Sequence, residues 1–71
     1  MKRSDVEKFL EIKVAILLFD ETVELGYLKK SNLSNPNVPF KNCYFTTDEK
    51  DQNAPNGSVF RCSHIKRIER Y

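Results

Sequence analysis

Residues 13–19 read K-V-A-I-L-L-F, a nearly unbroken, partly β-branched apolar run. Such a run is expected to form a strand buried on both faces, or covered by a helix on one of them. Asp20 and Glu21 interrupt it, and Thr22 to Leu28 then alternates, with Val23, Leu25 and Tyr27 on one face and Thr22, Glu24 and Gly26 on the other. That is the pattern of a half-buried antiparallel partner, apolar inward and polar outward, so the two stretches predict a hairpin. Past Gly26 the alternation fails, because Leu28 is apolar in the polar phase; a glycine at such a point marks a bulge or tight bend. With no Cβ, Gly26 is expected to let a strongly curved strand pass close to its neighbour.

The rest of the chain predicts one helix and further short strands. Ser4 and Glu7 have capping-box spacing, and Val6, Phe9 and Leu10 share one helical face, which predicts a helix over about 5–13. The stretch K-K-S-N-L-S-N-P-N-V-P-F-K-N has no period and is expected to be a loop. C-Y-F-T-T follows as a strand, then a charged loop ending in Asn56-Gly57, then S-V-F-R-C as another strand. Ile65 and Ile68, three apart, predict a single 3₁₀ turn feeding a last short strand. The expected architecture is mostly β and a single domain over 1–71, with the helix followed by a five-stranded, strongly bent antiparallel barrel over about 14–71.

Composition narrows the class. A chain of 71 residues with 39% apolar and 31% charged side chains and a net charge of +2 is expected to fold as a globular domain. Its core is small, so pairing with further copies is a natural source of extra stability. No secretory leader is apparent and V-A-I-L-L-F is too short to cross a bilayer, so the expected setting is the cytoplasm, with no membrane partner. There Cys43 and Cys62 are expected to be reduced, small buried hydrophobes.

Two stretches carry a family resemblance. V-A-I-L-L-F-D-E-T-V-E-L-G-Y-L-K-K is similar to the first Sm motif, with Asp20, Val23, Gly26 and Leu28 at matching places. F-R-C-S-H-I-K-R-I-E is similar to the second, through Phe60, Arg61, Ile65 and Ile68. Glu21 and Cys62 stand where that family usually carries glycine. The chain thus resembles the Sm-like group of SH3-like barrels, and the resemblance implies a small barrel, binding of single-stranded RNA and assembly through strand edges, with Arg61 the one binding residue that matches by motif.

Chemistry points the same way. Cys43, Cys62 and His64 lack a C-x-x-C pair and a fourth ligand, so no metal is expected. Cys62 with His64 lacks an oxyanion hole and a third orienting group, no phosphate-cradling loop is present, and neither catalysis nor a cofactor is expected. Residues 61–71 hold Arg61, Lys66, Arg67 and Arg70 against Glu69 alone, beside His64 and Tyr71. This patch suits phosphates and a stacked base, or equally a charged edge strand that discourages pairing. Asn32, Asn35 and Asn37 either present amides to bases or serve turn geometry. Phe40 either plugs a barrel end or anchors a ligand. The function expected is a non-catalytic binding module for single-stranded RNA or other nucleic acid, with Arg61, Lys66 and Arg67 on phosphates, His64 beside them, and Asn32 and Asn35 near bases. The alternative is a protein-interaction or homo-oligomeric assembly module working through strand edges.

Overall fold

A computed structural model describes all of residues 1–71, as helix α1 (Arg3–Glu7), strands β1 (Lys13–Leu18), β2 (Val23–Lys30), β3 (Tyr44–Thr47) and β4 (Ile65–Arg70), and a 3₁₀ turn at Cys62–His64. The strands form one antiparallel sheet in the order β3-β2-β1-β4. The expected five-stranded closed barrel is therefore corrected to an open four-stranded sheet with β3 and β4 at its two edges. The missing strand is S-V-F-R-C, which contributes a single isolated bridge between Phe60 and Tyr44. At either end the backbone turns to other partners: the Ser58 N–H donates to Glu24 Oε1 at 3.0 Å, and Arg61 caps the 3₁₀ turn. No helix is long and apolar enough to cross a membrane.

The helix is shorter than its spacing predicts. Its N-cap is Lys2, without a side-chain cap, and the Glu7 carboxylate that would complete a capping box with Ser4 instead accepts from Lys30 Nζ at 2.8 Å and from the Tyr44 hydroxyl at 2.9 Å. Beyond it the chain follows β2: the Glu11 N–H donates to Leu28 O at 2.9 Å, and the Leu28 N–H to Ile12 O at 3.1 Å. Glu11 holds φ at 66°, outside the helical region.

Strand β2 carries a second correction. Val23 and Leu25 are 55% and 45% exposed, whereas Glu24 is 7% exposed and Leu28 is fully buried. The alternation is thus reversed, with Glu24, Gly26 and Leu28 inward. Gly26 decides the phase. Its φ is 139°, and a Cβ there would collide with the carbonyl oxygen of Thr47 and crowd the Asn56 amide. Because side chains alternate strictly, fixing Gly26 and Leu28 inward sends Val23 and Leu25 outward. Glu24 tolerates burial because its carboxylate accepts the Ser58 N–H. Gly26 also adjoins a change of partner: β1 pairs with residues 23–27 of β2, and β3 pairs with residues 27–30.

The core lies on one side of the sheet. Val14, Ile16 and Leu18 from β1 meet Leu28, Tyr44, Phe60, Ile65, Ile68 and the helical Val6. Ala15 and Leu17, on the other side of β1, are only half-buried, so this strand is covered on one face and not on two.

Candidate interaction surfaces

The residues expected to hold nucleic acid fall into two groups. Arg61 and His64 bracket the 3₁₀ turn: the Arg61 N–H donates to His64 Nδ1 at 3.3 Å and the His64 N–H to Arg61 O at 2.9 Å. The His64 carbonyl accepts the Phe19 N–H at 2.9 Å, which fastens this turn to the end of β1. Lys66 and Arg67 are exposed on edge strand β4. Lys66 Nζ lies 3.7 Å from Glu21 Oε1, and Arg67 Nε lies 3.4 Å from Glu69 Oε1. Arg67 is in register with Leu17 and Arg70 with Val14, so these two point to opposite faces of the sheet.

Asn32 and Asn35 sit elsewhere. They follow the C-terminal end of β2, while the 3₁₀ turn adjoins the hairpin corner at its N-terminal end, about 25 Å away along a straight strand of that length. Asn35 is engaged through both amide atoms and Asn32 through its oxygen. Asn32 Oδ1 accepts the Ser34 N–H at 2.8 Å, Asn35 Oδ1 accepts the Asn37 N–H at 2.9 Å, and Asn35 Nδ2 donates to Asn53 O at 3.0 Å. They shape their loop. Phe40 is an exposed aromatic and plugs nothing. Cys43, Cys62 and His64 do not gather into a cluster able to hold a metal, and both cysteines are free thiols.

The outer face of the sheet is a surface the sequence pattern hid. Two cross-strand rows define it, Glu69–Ala15–Leu25 and Arg67–Leu17–Val23, with Lys13 and Tyr27 beyond the first. Its centre is apolar and its β4 side carries one positive and one negative charge. The signal was present in the chain, since Gly26 and Leu28 share a phase and that phase must be the crowded one.

A groove of about 550 Å³ opens beside the hairpin corner, lined by Leu18, Phe19, Asp20, Ser58, Val59, Phe60 and His64. Leu18 and Phe60 are buried as its floor, while Phe19 stands 62% exposed at its rim. The Thr22 hydroxyl and the Thr22 N–H, the latter 3.0 Å from Asp20 Oδ1, hold the Asp20 carboxyl below the usual carboxylate range. Elsewhere, burial first and then the Glu7 carboxylate push Tyr44 up to about 12. Hydrogen bonds from Lys30 and then Tyr44 hold Glu7 below its ordinary value.

No protein-family model, curated protein or solved structure matches the chain.

Proposed function

We propose that this protein is a non-catalytic assembly module whose outer sheet face packs against the same face of a second copy. The observation that carries this is the exposure of Val23 and Leu25 beside half-buried Ala15 and Leu17, on a face where water would otherwise cover apolar side chains. Charge names the occupant. A two-fold axis crossing the strands between the two rows sets Leu17 against the partner's Ala15, Val23 against the partner's Leu25, and Arg67 against the partner's Glu69. The face is self-complementary in size and in charge, as an isologous contact requires. Three strands spaced about 4.8 Å apart make a patch of only a few hundred Å² per copy, below the ~800 Å² of a stable interface, so the dimer is weak and reversible.

Sedimentation equilibrium across a wide concentration range tests this. The expected result is a monomer–dimer equilibrium that Leu25→Asp shifts to monomer without loss of circular-dichroism signal. Arg67→Glu alone weakens association, and adding Glu69→Arg restores it. A chain that stays monomeric at about millimolar concentration, well above the dissociation constant of even a weak specific contact, overturns the proposal.

Nucleic-acid binding in an Sm-like manner is a second reading, favoured by Arg61 and Arg70, which have no carboxylate within ion-pair distance. It requires oligouridylate binding that weakens steeply with salt and drops on Arg61→Ala. Binding insensitive to salt removes it.

A further inference from the structure

The groove at the hairpin corner shares no lining residue with the outer face. We propose that it binds the side chain of an arginine or lysine presented by an extended peptide segment of a partner protein.

Its chemistry is arranged for a side chain with a long apolar stem and a cationic head. Leu18, Phe60 and Val59 offer apolar surface to methylene groups, which such side chains bury while keeping their charge at the rim. Phe19 presents an exposed ring at that rim, and a cation over its face gains from the ring quadrupole. Asp20 stands next to it. The Thr22 N–H donates to its Oδ1, and no lysine or arginine lies within ion-pair distance, so the carboxylate has no cationic partner of its own. The neighbouring Glu21 lies outside the groove lining, 3.7 Å from Lys66 Nζ.

Two polar groups address the peptide backbone. His64 Nδ1 accepts the Arg61 N–H, so in the neutral ring the proton sits on Nε2, where it can donate to a carbonyl. The Ser58 hydroxyl, also in the lining, donates or accepts. An anionic side chain would meet the Asp20 carboxylate at close range, and a purely apolar one would strip water from that carboxylate with no compensating partner. Cation, stem and backbone are each provided for.

The test is a nitrogen-15 NMR titration of the whole chain with three blocked tripeptides, leucine flanking arginine, norleucine or glutamate, and with oligouridylate. The arginine peptide is expected to shift resonances of residues 18–20, 58–60 and 64, and the other probes are not. Asp20→Asn keeps the Oδ1 acceptor for Thr22 and should weaken the arginine peptide about tenfold or more, as loss of a charge-assisted contact does. Phe19→Ala, at an exposed position, should weaken it too. Equal binding of the norleucine or glutamate peptide, an unchanged affinity in Asp20→Asn, or absence of shifts at millimolar peptide overturns the proposal. Shifts of these resonances by oligouridylate in place of the arginine peptide overturn it in favour of a nucleic-acid site.

Discussion

Glu11, Glu21 and Asn42 hold φ at 66°, 69° and 60°, a region that costs an ordinary L-residue about 1–2 kcal/mol. Asparagine tolerates it; the two glutamates need a reason. Glu11 has one: its N–H donates to Leu28 O, and its carboxylate meets Lys29 Nζ at 2.7 Å, where the lysine side chain is only 10% exposed. Glu21 has much less, since its side chain is 74% exposed and lies 3.7 Å from a half-exposed lysine, a contact worth little in water. Glycine at position 21 would remove the left-handed strain and lose roughly 0.5–1 kcal/mol to extra freedom of the unfolded chain, for a net gain of about 0.5–1 kcal/mol. Glu21→Gly should therefore raise the urea midpoint with an unchanged slope, while Glu11→Gly should lower it. A lower midpoint for Glu21→Gly would mean that the Lys66 contact outweighs the backbone term.

At the scale of elements, strand existence was easier to read than strand phase. The apolar run 14–19, the Asp20 corner and the C-Y-F-T-T segment each mark an element by composition, and β1, β2 and β3 lie there. Phase is set by what lies opposite, which composition does not carry. Leu28 looked like an interruption because Val23, Leu25 and Tyr27 formed the more hydrophobic set, yet it continues the buried phase of Glu24 and Gly26. The spacing of Ile65 and Ile68 had a similar fate: both are buried on β4, with the register shift opposite Leu17 and Leu18 absorbing the odd residue, and the 3₁₀ turn precedes them at Cys62–His64. Of the surfaces, the basic stretch was visible as a charge count, whereas the hairpin-corner groove joins residues some forty positions apart and left no local trace. Gly26 tests the phase directly. Gly26→Ala brings a Cβ against a backbone carbonyl that cannot rotate away, at a φ that L-residues rarely adopt, and should cost about 3 kcal/mol or more. A loss below about 1 kcal/mol would show that β2 can pass its neighbour less closely than it does here.

The molecule as a whole is tied together at a partly exposed polar junction beside the core. Tyr44 from β3 donates to Glu7 of α1, which also receives Lys30 from the end of β2, so helix, central strand and edge strand converge on one carboxylate. The two ionisable partners respond to pH in opposite directions. Glu7 is held below its ordinary 4.5, so its contribution to stability is present above that value and lost as pH falls through the lower folded one. Tyr44 is raised from 10.0 to about 12, so its contribution is full below pH 10 and disappears as pH climbs from there toward 12. Thermal midpoints measured against pH should show a plateau bounded by both losses. Tyr44→Phe keeps the ring in the core and removes the hydroxyl, which should shrink the alkaline limb and move the acid limb upward, because Glu7 loses one of the donors that hold its carboxyl down. An alkaline limb identical in the two proteins would place its origin elsewhere in the chain. A change in the acid limb without one in the alkaline limb would mean that the hydroxyl matters to Glu7 as a donor while burial of Tyr44 does not itself oppose ionisation.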